Sequence, residues 1–73
     1  VSTRQEINFR IGQNLLFWRV ERGKAQAEVA LALKKSQAQV SRIENGVCGL
    51  SAAQVEILAR LLSVDVADLF FAF

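Results

Sequence analysis

Residues 26–46 read QAEVALALKKSQAQVSRIENG, and the apolar positions in this stretch define two short helices rather than one long one. Val29, Ala30 and Leu33 recur at the three- and four-residue steps of a single helical face. Val40 and Ile43, with Glu44 beside them, mark the inner face of a second helix. Ser36 falls between the two, where its hydroxyl can accept the hydrogen bond that an amide at a helix start otherwise lacks. Helices separated by so few residues cannot lie side by side as a long hairpin. They must cross steeply, as a helix-turn-helix does.

With Val40 and Ile43 turned inward, Gln37, Ala38, Ser41, Arg42 and Asn45 fall on the opposite side of the second helix. Amides pair with adenine edges, a guanidinium with guanine, and a methyl rests against thymine. Polar outer faces are mostly no more than solvated surface. This one carries no acidic side chain and directly follows Lys34 and Lys35, a choice of residue types that favours contact with DNA.

Gln26, Ala30, Val40, Ser41, Ile43 and the run 44–46, Glu-Asn-Gly, stand in an order that resembles the Cro and phage-repressor type of helix-turn-helix regulators. The similarity extends from about Ile11 to Leu69. It implies an all-α, lambda-repressor-like DNA-binding domain of five helices. In such proteins an arginine at the place of Arg19 pairs with the glutamate that here is Glu44. The pairing makes physical sense, because a carboxylate at the inner edge of the recognition helix needs a cation close by. Arg19 and Glu44 are therefore expected to be structural. A glutamine at the place of Gln26 braces its helix against phosphate in this family and can touch the first recognition residue, Gln37. The resemblance has two departures. Relatives usually carry Gly where this chain has Lys34, so either that residue adopts a strained left-handed backbone or the first motif helix runs on further. The loop Val47, Cys48, Gly49, Leu50 lacks the basic residues of relatives and has Leu50 in place of Pro, which predicts weaker, less salt-dependent non-specific binding.

Outside the motif, residues 1–5 read as a loose arm and a helix follows, ending at Gly23. Ile7, Ile11, Leu15 and Trp18 give this helix its buried face, and Gly12 within it predicts close approach of a neighbouring backbone. Leu16 and Phe17 lie beside that stripe, where they either offer exposed apolar contact or widen the core. Ser51 caps a fourth helix packed through Val55, Leu58, Ala59 and Leu62, with Ile57 and Leu61 as a second stripe. Asp65 caps a short fifth helix whose Leu69 closes the core. Phe70, Phe71 and Phe73 are too many aromatics for so small an interior, so residues 65–73 are expected to form a homodimer interface in which two apolar ends bury each other.

The 73 residues allow one domain with a small core, and 52% apolar composition exceeds what that core can hold. No Pro and only four Gly fit an all-helical chain. Residues 1–44 carry Arg4, Arg10, Arg19, Arg22, Lys24, Lys34, Lys35 and Arg42 against Glu6, Glu21, Glu28 and Glu44, a net +4. Residues 45–73 carry Arg60 against Glu56, Asp65 and Asp68, a net −2. A basic front half suits a domain that presents one end to phosphates. The first residue is Val, as expected of a chain trimmed or processed from a longer product. The single Cys48 excludes an internal disulfide framework. With no apolar run of bilayer length and no signal-peptide layout, the expected place of work is the cytoplasm. There is no His, no metal-binding cluster and no Gly-rich phosphate loop. The reading is therefore of no enzyme, no cofactor, no metal and no small-molecule ligand. The leading expectation is a homodimeric transcriptional regulator that reads duplex DNA. Gln37, Ala38, Ser41 and Arg42 would touch bases, and Gln26, Lys34, Lys35 and Asn45 phosphates. A restriction–modification controller protein is the member it looks most like. The alternative is a protein-interaction module, such as an antitoxin that masks a toxin.

Overall fold

The computed structural model describes residues 3–71. These form α1 (Arg4–Glu21), α2 (Gln26–Leu33), α3 (Gln37–Glu44), α4 (Ala52–Leu62) and α5 (Val66–Phe71). The starts of α1, α3 and α4 share one device. Thr3, Ser36 and Ser51 each accept the N–H three residues on, while Glu6, Gln39 and Gln54 accept the N–H of the cap, all at 2.8–3.2 Å. Each capping box satisfies two amides that the helix cannot. Alanine at position 25 leaves α2 with half of the device, the bond from its N–H to Glu28 Oε1 at 3.1 Å. Asp65, just before α5, likewise donates its N–H to Asp68 Oδ2 at 3.1 Å. The Thr3 box starts α1 at Arg4, so Arg4 and Gln5 are helical rather than part of the expected arm.

The ends of α1 to α4 share a second device. Gly23, Lys34, Gly46 and Ser63 each adopt a left-handed backbone, with φ of 67°, 56°, 78° and 56°. In every case that residue donates to the carbonyl three back and its successor to the carbonyl five back. Lys34 thus reaches Leu31 O at 3.2 Å and Lys35 reaches Ala30 O at 2.9 Å. This closes the orphan carbonyls of the last turn. The two possibilities open at Lys34 are thereby decided: α2 stops at Leu33 and the lysine takes the left-handed conformation. A side chain there costs about 1–2 kcal/mol, partly offset because Gly adds freedom to the unfolded chain. We predict that Lys34→Gly and Ser63→Gly each stabilise the fold by ~0.5–1 kcal/mol, read as a rise of a few degrees in thermal midpoint. A fall in midpoint for both would refute the strain.

The core is apolar and continuous. Leu15 of α1, Val29 and Leu33 of α2, Val40 and Ile43 of α3, Val55, Leu58 and Leu62 of α4, and Leu69 of α5 meet in it. Trp18 and Phe70 pack at its edge, half-buried. The short α5 is tied to α1 by buried Asn14, whose Nδ2 donates to Leu69 O at 2.8 Å. Arg22 stacks over the Trp18 ring at 4.9 Å and donates from Nε to Leu62 O, 2.8 Å away at the end of α4. In this frame α1 touches α3 and α5, while α2 touches α3 and α4, so α3 is gripped from behind by both preceding helices.

Candidate nucleic-acid interface

The placement of α3 starts with a missing side chain. A Cβ on Gly12 would lie 2.9 Å from Glu44 O and closer still to Ile43 O. The last turn of α3 therefore rests directly on the backbone of α1. Gly46 makes the matching approach from the other side, since a Cβ there would come within 2.8 Å of Phe9 Cα. These two contacts set the height of α3 over α1.

Its rotation is set by charge. Glu44 is buried, only 4% exposed, and Arg19 meets it as a fork. Arg19 Nε donates to Oε2 at 2.6 Å and Nη2 to Oε1 at 3.3 Å, while Nη1 donates to Lys24 O at 3.0 Å. A bidentate guanidinium is the geometry that best compensates a desolvated carboxylate. The ion pair expected from the resemblance is formed.

Residue patterns alone did not reveal a third partner in this pair. Gln26 Nε2 donates to Glu44 Oε1 at 2.8 Å, and Gln37 Nε2 lies 3.4 Å from Gln26 Oε1. The contact between Gln26 and Gln37 was expected, the one with Glu44 was not. The available signal was that Gln26 and Glu44 lie at the start and end of a motif whose helices must cross.

With Val40 and Ile43 buried, Gln37, Ala38, Arg42 and Asn45 are exposed and Ser41 is half-buried. Gln39, on the same helix, is engaged in the Ser36 capping box. Asn45 follows α3 directly and donates from Nδ2 to Ser41 O at 2.8 Å. Lys34 is exposed and Lys35 half-buried. Among the described residues, Lys34, Lys35 and Arg42 stand outside the ion pairs, which join Arg19 to Glu44, Lys24 to Glu28 and Arg60 to Glu56. The motif thus presents three uncompensated cations around an uncharged, hydrogen-bonding face. Cys48, in the loop that follows, is exposed. Among the described residues, no group of three or more His, Cys, Asp or Glu is placed to hold a metal ion, and no helix is long and apolar enough to cross a membrane.

Of the residues expected at a dimer interface, Phe71 is 74% exposed, Phe70 is half-buried and Phe73 lies outside the described residues. Of the two residues left open between exposed contact and core, Phe17 is 41% exposed and Leu16 is half-buried. Phe9 at 54% and Val20 at 63% add apolar surface on α1 that the helical stripe did not single out.

This architecture defines a helix-turn-helix regulator of the Cro and repressor class, a class of DNA-binding proteins. The chain belongs to that helix-turn-helix family, whose model matches residues 15–69. Among solved structures it is similar to the restriction-modification controller protein C.AhdI from Aeromonas hydrophila. That protein is 25% identical, with a TM-score of 0.76 over 86% of this chain and 96% of the other. It is also similar in fold to the hypothetical transcription factor NHTF from Neisseria, 22% identical, with a TM-score of 0.79 over 97% of this chain and 82% of the other. No curated protein matches it by sequence.

Proposed function

We propose that this protein is a sequence-specific transcriptional regulator that works in the cytoplasm as a homodimer. Each protomer would set α3 into a major groove of a two-fold operator, with half-sites about 34–36 Å apart. One observation carries the reading. The helix whose aliphatic and acidic side chains are buried turns only amides, a hydroxyl, a methyl and a guanidinium to the outside. Gln37, Ala38, Ser41 and Arg42 would read base edges. Lys34, Lys35, Asn45 and the outer side of Gln26 would hold phosphates and fix the register. Similarity to a controller protein supports the small, self-contained form of such a regulator. The homodimer rests on the exposed Phe71 and on an apolar content beyond the needs of the core.

A titration of labelled duplex bearing the selected site tests it. Arg42→Ala is expected to weaken specific binding by ~1–3 kcal/mol and to relax the preference at one position per half-site. Lys34→Ala and Lys35→Ala should instead weaken all sequences alike and lower the salt slope by ~0.9 each. Unchanged affinity in Arg42→Ala would remove that residue from the reading set. Exposed Phe17, Val20 and Phe71 also favour a second reading, a module that masks another protein through its apolar surface. Tight, salt-indifferent association with a second polypeptide, combined with no DNA selection, would decide for it.

A further inference from the structure

The outer side of α1 is apolar where the fold makes no use of it. Phe9, Gln13, Phe17 and Val20 follow one another at three- and four-residue steps, on the side away from the buried Ile11 and Leu15. Phe9 is 54% exposed, Phe17 41% and Val20 63%, and Leu16 is half-buried beside them. An apolar stripe of this kind marks a surface made to be covered. Two charged residues border it. Arg10 is half-buried, and its Nε is shut off from solvent with no hydrogen-bond partner. Glu21 is exposed, and among the described residues neither belongs to an ion pair. The carboxylate one turn before Arg10, Glu6, is engaged by the Thr3 N–H in the capping box.

The spacing of these residues selects the occupant. Phe9 and Val20 are eleven residues apart, as are Arg10 and Glu21, and that interval is about three turns of helix. Phe9 and Val20 therefore share one line along α1, and Arg10 and Glu21 the neighbouring edge. We infer that this face docks a second copy of the same helix, antiparallel, about a two-fold axis at right angles to α1. In that arrangement each edge of α1 runs along the same edge of its copy. Phe9 then meets Val20 of the second copy, Gln13 meets Phe17 and Arg10 meets Glu21. The midpoint of every pair falls within one residue of position 15. A single register thus satisfies the apolar and the charged pairs together, each formed twice. A parallel copy would set the edge of Arg10 against the edge of Leu16, where α1 has no carboxylate. The contact is separate from the seam proposed at residues 65–73, and two different two-fold contacts on one chain carry assembly beyond the dimer. None of its side chains belongs to the proposed base or phosphate contacts, so self-docking and DNA binding compete for no residue.

Sedimentation velocity over a range of concentrations tests it, on the full chain and on Arg10→Glu, Glu21→Arg and Val20→Glu. Arg10→Glu sets carboxylate against carboxylate at both crossings, and Glu21→Arg sets guanidinium against guanidinium. Each alone should self-associate through this face about tenfold more weakly, or less still. Mixed in equal amounts, the two variants are complementary at both crossings and should associate as tightly as the unaltered protein. Val20→Glu should lose the contact with no rescue by either. Thermal melts verify folding. Glu21→Arg and Val20→Glu change exposed positions, so they read the contact even where half-buried Arg10 tolerates no reversal. Phe71→Ser, run alongside, reports on the chain-end seam and should leave the α1 contact in place. Single variants that associate like the parent would overturn the inference, as would weakened variants that mixing fails to restore. A parent that forms only a dimer, dissolved by Phe71→Ser alone, would overturn it too while the homodimer proposal stood. Association lost in the α1 variants and untouched by Phe71→Ser would instead refute the chain-end seam and uphold the α1 contact.

Discussion

Arg19→Ala is expected to cost ~3–5 kcal/mol of stability, because it strands Glu44 in the interior without its cation. A domain of 73 residues has roughly 0.05–0.15 kcal/mol per residue to lose, so this one truncation removes much of the margin. The expected thermal midpoint falls by well over ten degrees. Two features raise the loss above that of a surface pair. The Arg19 side chain is only 15% exposed and that of Glu44 5%, so solvent does little to screen either. The substitution also strands Lys24 O, which accepts from Nη1 at 3.0 Å in the turn before α2. Urea titration gives the direct reading. A midpoint shift equivalent to less than ~1 kcal/mol, the range of an exposed pair, would mean that Glu44 reaches water. The double substitution Arg19→Met with Glu44→Leu sharpens the point, since a buried pair replaced by apolar groups of similar size is often neutral or better. It should recover most of the stability.

The parts of this design that were legible from residue order are those governed by local periodicity and caps. Val29, Ala30, Leu33, Val40 and Ile43 are buried because a 3.6-residue repeat leaves them no other face. Ser36 and Ser51 cap as their hydroxyls require. The start of α1 was legible too, in the Thr3 and Glu6 spacing of a capping box, but polar residues around it gave the appearance of an arm. Other features depend on what the helices meet. Asn14 is a polar residue on a buried face, and its partner Leu69 O lies 55 residues away. The bond from Gln26 to Glu44 requires knowing how steeply α2 and α3 cross. Lys34 shows tertiary packing overriding local preference. The turn must be left-handed for Val40 and Ile43 to reach the core, and the backbone accepts lysine there at a cost.

Gly12→Ala sets two principles against each other, and the structure decides the sign. On helix propensity alone, alanine inside α1 should gain ~0.5–1 kcal/mol over glycine. The added methyl, however, would point at the carbonyls of Ile43 and Glu44 at distances that no Cβ tolerates. Those atoms are backbone and cannot swing aside like a side chain. Ile43 O moreover accepts the Gly46 N–H at 3.1 Å in the cap that ends α3, so displacing it opens the cap. Overpacking of this kind costs ~1–3 kcal/mol or more, and at a backbone contact the upper end applies. Gly12→Ala should therefore destabilise by at least ~2 kcal/mol. Gly23→Ala provides the control. Gly23 has nothing within 4 Å of its would-be Cβ but has φ of +67°, so its penalty is conformational only, ~1–2 kcal/mol. The variants should differ in function as well. Gly23→Ala leaves α3 where it is, and its folded fraction should bind DNA normally. In Gly12→Ala, α3 lifts away from α1, carrying Glu44 from Arg19 and tilting Gln37 and Arg42 together, so affinity should fall even at temperatures where the protein is fully folded. A Gly12→Ala protein more stable than the parent would mean that α1 and α3 are not in backbone contact, and the seat of the recognition helix would have to be sought elsewhere.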